Sequence, residues 1–304
     1  MNKEYIYESL LNIVGQENVK LDEPMKKHIS FRVGGPADIL VKPTSETQLS
    51  DIMVLIKKEK IPYLIIGNGS NLLVKDGGIR GVVIEISNNL NNFDIKGTNV
   101  KIQSGALLSV VGKAVLREEL KGFEFAAGIP GTLGGAIAMN AGAYGGEMKD
   151  IVKSVKLMDT DGNIFEFTNE QMAFEYRKSI LSRTDYIVLC VEIELQKGNY
   201  DEIKATMMDF TQRRVSKQPL SLPSAGSTFK RPKGHFAGQL IEECGLRGLT
   251  LRGAQVSEKH CGFVVNLGNT TAKDLLELMY VVKSTVNAKF GIMLEEEVRI
   301  LGED

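Results

Sequence analysis

Cysteine is scarce. Cys190, Cys244 and Cys261 form an odd, scattered set in 304 residues, with no pair at C-x-x-C spacing. That argues against a disulfide framework and for free thiols in a reducing cytosol. Histidine is equally sparse: His28, His235 and His260 make no H-E-x-x-H motif, so the expectation is that no metal is bound. His260 and Cys261 are adjacent, so on a strand they would face opposite ways, and a buried or hydrogen-bonded histidine is expected rather than a ligand. No apolar run approaches the ~20 residues of a membrane span. Glu4 and Glu8 stand where a secretory signal would need a basic and then an apolar region. An excess of one charge is missing too: 37 basic against 38 acidic side chains leave −1. This removes the strongest sequence sign of a nucleic-acid binder. The chain has no repeat of solenoid period and no low-complexity tract. The expectation is a soluble cytoplasmic protein without nucleic-acid or membrane partners.

What is present is ordinary globular composition, 43% hydrophobic and 25% charged, at a length that predicts about two domains. The first stretch reads as strand (37–42), helix from Thr44-Ser45-Glu46, strand (62–66) and strand (81–86). Ser45 and Gln48 stand at capping-box spacing, and Leu49, Ile52, Met53 and Ile56 recur at helical intervals. Such alternation argues for an α/β or α+β fold rather than a bundle or sandwich. Past an Asn-rich stretch (88–92), a strand near 100–104 and a helix near 108–120 are expected. Strands at 152–158, 164–167 and 187–195 then mark a sheet-rich lobe. A third block opens with a helix over 200–217, ended by Pro219, Pro223 and Gly226. Helices at 236–244 and 271–290 and a terminal strand at 296–301 complete it.

Glycine makes up 31 residues, about one in ten, and it is clustered. Gly67-Asn68-Gly69-Ser70-Asn71 follows an apolar strand directly, where backbone N–H groups can hold a phosphate; equally, it can be a plain strand-ending turn. Leu72 stands where a Rossmann fingerprint needs its third glycine, and no P-loop lysine follows. The second cluster is Gly128-Ile129-Pro130-Gly131-Thr132-Leu133-Gly134-Gly135-Ala136, continuing to Gly146. Its lack of bulk suits a flat ligand lying on exposed backbone, or else a mobile or tightly packed loop. Basic residues gather at Arg213, Arg214, Lys217, Lys230, Arg231 and Lys233. They form a solvated face or a pocket for an anionic, diphosphate-bearing substrate.

Taken in order, several segments resemble the UDP-N-acetylenolpyruvoylglucosamine reductase family. They are Ser30-Phe31-Arg32-Val33-Gly34-Gly35-Pro36-Ala37, the two glycine clusters, Tyr176-Arg177-Lys178-Ser179, Ser224-Ala225-Gly226-Ser227-Thr228-Phe229-Lys230, residues 254–266 and Glu297-Val298-Arg299. The resemblance implies an α+β chain: a two-lobed FAD-binding fold of the vanillyl-alcohol-oxidase (PCMH) type plus an α+β substrate-binding domain. The divisions expected are 1–87, 88–198 and 199–304, with the last strand returning to the FAD-binding lobes. Arg32, Gly67, Asn68, Gly69, Ser70, Asn71, Gly128, Ile129, Pro130, Gly131, Gly134, Gly135 and Ala136 would then bind FAD. Arg177, Ser227 and Glu297 would be catalytic. Tyr176, Arg213, Lys217, Arg231 and His260 would bind substrate. Arg231 stands where some relatives carry Asn, and the interval from Arg177 to Arg213 is short. Both features resemble the branch that lacks an inserted substrate-covering loop, so that loop's tyrosine is assigned to no residue here.

The implied reaction is NADPH-dependent, FAD-mediated reduction of an enolpyruvyl UDP-sugar, by a monomer, in peptidoglycan precursor synthesis. Hydride added to the terminal methylene carbon leaves carbanion character beside a carboxylate. A fixed Arg177 would lower that cost, Glu297 would donate a hydrogen bond as the protonated acid, and Ser227 would deliver the proton. Two other readings remain: an oxidase of an alcohol or hydroxy acid on the same scaffold, and a basic nucleic-acid module at 213–233. The latter has only Phe229 to stack on a base.

Overall fold

The helix Lys3–Val14 starts at Asn2, whose side chain accepts from the Tyr5 N–H at 3.2 Å, and it buries Ile6, Leu10 and Val14 on one face. These residues meet Leu49, Ile52, Met53 and Ile56 of the helix Glu46–Glu59 over the strand residues Ile39, Val41, Val82 and Ile84. Each such burial contributes roughly 1.5–3 kcal/mol. The computed structural model describes residues 2–304. It divides into two units: Met1–Leu21, Ile39–Asn68 and Gly81–Gln212 form one, and Asp22–Asp38, Gly69–Arg80 and Arg213–Asp304 the other.

The first unit holds the strand Tyr63–Ile66, parallel to Ile79–Glu85 in a four-stranded sheet. It also holds a five-stranded antiparallel sheet. The order there is Ile164–Thr168, Val152–Met158, Ile187–Glu194, Asn99–Gln103 and Phe93–Lys96. Val155, Leu157, Val191, Ile193, Val100 and Ile102 point from this sheet into a core shared with the helices Leu108–Arg117 and Leu133–Ala138. The helix expected over 108–120 stops three residues early, because Leu120–Lys121 forms a short strand with Gln196–Lys197.

In the second unit, Thr250–Leu251, Ala254–Val256 and Val264–Asn266 make an antiparallel sheet. The helix Ala272–Phe290 packs on it and buries Leu275, Leu278, Met279 and Val282. Thr271 and Asp274 form a full capping box at its start, and Gly291, in a left-handed turn (φ 67°), closes it. The Ser45 box is only half made: Gln48 N–H donates to Ser45 Oγ at 3.1 Å, but the Gln48 side-chain Oε1 accepts from the Thr44 N–H and hydroxyl instead. The strand Arg299–Leu301 lies parallel to Leu72–Val74. The helix Tyr200–Lys217 runs from the first unit into the second and buries only Ile203. His260 and Cys261 sit in a turn between the strands Ala254–Val256 and Val264–Asn266. Among the described residues no helix is long and apolar enough to cross a membrane.

Candidate active site

The two glycine clusters meet in the first unit. Asn68 Nδ2 donates to Pro130 O at 3.2 Å, and a Cβ placed on Gly67 would collide with Thr132 Oγ1. Thr132 is fully buried and caps the helix Leu133–Ala138 by accepting from the Gly135 N–H. The second cluster is thus not a loop throughout. Its residues 133–138 are a short helix, and 142–147 a tight hairpin with Glu147 opposite Gly142. Glycine content hid both, although Thr132 ahead of Leu133 is a cap signal. Gly134 gives way to packing, with a Cβ there only 3.0 Å from that of Ser104, whereas Gly135 and Gly128 are exposed.

Among the described residues, no group accepts from the backbone N–H of Gly67, Asn68, Gly69 or Ser70. Gly69 has φ 59°, and a Cβ there would run into His28 O. The Ser87 and Ser104 hydroxyls are buried without a partner. Glycine at 67 and 69 is required by the chain's own Thr132 and His28, and the loop's amides, with no acceptor in the chain, fit a dinucleotide held through its phosphates by backbone. Arg32, also left-handed (φ 57°), is exposed and lines a cavity of about 650 Å3 in the second unit with Lys26, Asp76, Asn266 and Thr271.

Arg177 occupies a hairpin turn in which Glu175 and Lys178 exchange backbone hydrogen bonds at 3.0 and 3.2 Å. Its φ is 57°, a region a long side chain enters only when the surroundings hold it there. Nη2 donates to Gly142 O at 3.4 Å, and the guanidinium lies 5.0 Å from the Tyr176 ring centre. Tyr176 is exposed.

Ser227 and Glu297 come together in the second unit. The segment after Ser227 pairs with the segment before Glu297: Phe229 bridges Glu296, Lys230 N–H donates to Glu295 O, and Glu297 N–H donates to Thr228 O at 2.9 Å. Asn71 holds Glu297 from its other side, donating from Nδ2 to Glu297 O at 3.1 Å and accepting from Arg299 N–H. Residue 71, read from sequence as a phosphate ligand, fixes the main chain of Glu297. Both Ser227 and Glu297 are half-buried.

Of the expected substrate residues, Arg213 and Lys217 stand one turn apart on the helix Tyr200–Lys217. Lys217 is close enough to His260 to help depress its pKa, with burial the larger cause and Arg247 the larger charge. His260 Nδ1 accepts from the Gly262 N–H at 3.1 Å, so the neutral ring carries its proton on Nε2. That leaves a hydrogen-bond donor beside a lysine, which suits an anionic oxygen. Arg231 stacks its guanidinium 3.9 Å over Phe236, while Lys230 is held by Glu295. The basic stretch is thus partly internalised in contacts of its own.

Comparison with known proteins gives a consistent picture. A family model described as "UDP-N-acetylenolpyruvoylglucosamine reductase, C-terminal domain" matches residues 218–301, and one described as "FAD binding domain" matches residues 37–168. The UDP-N-acetylenolpyruvoylglucosamine reductase of Clostridioides difficile (strain 630) is 71% identical over the whole of both chains. The crystal structure of the reductase from Thermus caldophilus superposes with a TM-score of 0.80 at 35% identity, covering 93% of this chain and 97% of that one. A glucose dehydrogenase, Phl p 4.0202, shares the fold alone, with a TM-score of 0.53 at 14% identity over 95% of this chain and 63% of that one. Of the α/β and α+β readings left open by strand–helix alternation, the α+β flavin-binding fold implied by the resemblance holds.

Proposed function

The chain belongs to the UDP-N-acetylenolpyruvoylglucosamine reductase family, and from that premise we propose that it works through Arg177, Ser227 and Glu297. Its reaction is the NADPH-dependent, FAD-mediated reduction of UDP-N-acetylglucosamine enolpyruvate to UDP-N-acetylmuramate, in peptidoglycan precursor synthesis. FAD, when bound, supplies the hydride it has received from NADPH. The 67–71 loop, through its unsatisfied amides, binds the pyrophosphate. Residues 128–136 and Arg32 line the rest of the cofactor.

Arg177 pairs with the substrate carboxylate and so stabilises the negative charge that develops beside it when hydride reaches the methylene carbon. The Gly142 carbonyl and the Tyr176 ring hold the guanidinium. Glu297, as the protonated acid, donates to the developing enediolate. Ser227 Oγ then gives a proton to the carbon next to the carboxylate. The observation that carries this reading is the pinning of Glu297 between Thr228 and Asn71, which fixes it beside the segment bearing Ser227. Lys217, Arg213 and Arg231 bind the diphosphate or groups beside it, with His260 donating from Nε2. Tyr176 packs along the substrate next to Arg177.

The division into 1–87, 88–198 and 199–304 is the functional one in this reading: two FAD-binding parts and a substrate-binding part. The protein acts in the cytoplasm as a monomer, without nucleic-acid or membrane partners. The test is anaerobic stopped-flow spectroscopy. A Ser227→Ala enzyme is bleached by NADPH at the normal rate but is reoxidised slowly by the enolpyruvyl UDP-sugar. Normal reoxidation of that variant removes Ser227 from the mechanism.

A further inference from the structure

The Asn140 side chain is completely buried, and its backbone is left-handed, with φ 39°. Nothing in the flavin or substrate roles above uses it, yet it makes three hydrogen bonds. Nδ2 donates to Glu175 O at 3.1 Å and to Glu147 Oε2 at 3.0 Å, and Oδ1 accepts from Lys149 N–H at 2.9 Å. Glu175 begins the turn that carries Arg177. Two neighbours of Asn140, each two residues away, grip the same turn. Ala138 O accepts from Ser179 Oγ at 3.1 Å, and Gly142 O accepts from Arg177 Nη2 at 3.4 Å. Residues 138, 140 and 142 thus hold the end of the turn, its start and its side chain in succession.

Of the three, Asn140 is the contact made by a side chain from the glycine-rich segment, and it reaches the first residue of the turn. Glu147, its second acceptor, is itself fixed by Lys149 at 2.9 Å and by a reciprocal cap with Asp150. The amide therefore joins a braced hairpin to a turn that holds an arginine in an unfavourable backbone region. Asparagine suits the place: it tolerates left-handed φ, and it offers donors and an acceptor at once. Aspartate would match its shape and backbone preference but, ionised, could donate to neither Glu175 O nor Glu147.

We propose that Asn140 is a positioning residue for Arg177, holding the Glu175–Lys178 turn so that the guanidinium meets the substrate carboxylate. This rests on the role given to Arg177 above. The test is a double-mutant cycle of Asn140→Asp with Arg177→Lys, read in single-turnover stopped flow. Asn140→Asp alone slows substrate-driven reoxidation of the flavin about 10- to 100-fold at pH 8, while reduction by NADPH changes less than twofold. Acidification restores part of the loss relative to wild type, because the protonated carboxyl donates again. In the Arg177→Lys background the same substitution costs less than twofold.

An equal loss in both backgrounds means that Asn140 merely supports the fold, and overturns the proposal. So does a wild-type rate for Asn140→Asp at every pH. If Arg177→Lys alone reoxidises normally, the role of Arg177 fails instead, and the two failures are told apart. Should the Asn140→Asp chain not retain FAD, the cycle is run with Asn140→Ser, and a loss that vanishes, or stays equal, in the Arg177→Lys background decides.

Discussion

Substituting Gly67 by Ala probes the meeting of the two glycine clusters at a single atom. The added methyl would overlap Thr132 Oγ1 and lie 3.2 and 3.3 Å from Thr132 Cβ and Cγ2. Either the loop withdraws or Thr132 turns, and a turned Thr132 gives up the cap it provides to Gly135 N–H. Overpacking of this kind costs about 1–3 kcal/mol, and a lost threonine cap about 1 kcal/mol. Together they come to roughly 2–4 kcal/mol. Carried by the FAD-bound state, that strain lowers FAD affinity roughly 30- to 700-fold at about 1.4 kcal/mol per tenfold. Titration of the apoprotein with FAD, followed by quenching of flavin fluorescence, measures it. Thr132→Ala in the same chain removes the two atoms beyond Cβ, so the double variant binds FAD more tightly than Gly67→Ala alone. Unchanged affinity in Gly67→Ala, or no relief from Thr132→Ala, refutes the contact as the reason for glycine at 67.

Three further outcomes follow from other contacts. Asp76 accepts from both Ala272 and Lys273 N–H groups at 2.9 Å, so Asp76→Ala costs about 1–2 kcal/mol and lowers Tm by roughly 2–8 °C, as calorimetry would register. Burial holds the His260 pKa below the 6.5 of the unfolded chain, so the unfolded state takes up its proton first as pH falls. The stability from neutral His260 is intact above that value and is lost as pH drops through it. Urea unfolding at pH 7.5 and 5.0 reads a shallower pH dependence in His260→Asn, and an unchanged dependence counts against burial as the cause. Arg177→Lys lowers the rate of substrate reduction at least tenfold, because a point charge lacks the planar fork; a near-normal kcat contradicts the carboxylate role.

Much of the framework was legible because one signal dominated each element. Val152–Met158 and Tyr200–Lys217 match expectation residue for residue, the latter with Pro219 just beyond its end. The helix Lys3–Val14 carried an equally plain pattern, Ile6, Leu10 and Val14 behind an Asn cap, but its charges drew attention to sorting signals instead. Strand Val19–Pro24 gave no such signal: three consecutive exposed residues leave no alternation to see. Around the candidate site, residue types with obvious chemistry are the ones a sequence singles out, whereas the buried Thr132 and Asn140 are not. Each works through hydrogen bonds to backbone brought close only by folding, and a small polar residue among glycines reads as a turn.

The pairing of Arg299–Leu301 with Leu72–Val74 joins segments more than two hundred positions apart, and the Asn71 clasp on Glu297 spans 226. During synthesis, Asn71 waits for its partner until nearly the whole polypeptide has emerged from the ribosome. Contacts this remote are slow to close, so a nascent chain can complete its five-stranded sheet long before Glu297 has a fixed place. Glu297 is thus fixed in place among the last events of maturation, after the sheet of the first unit has its strands.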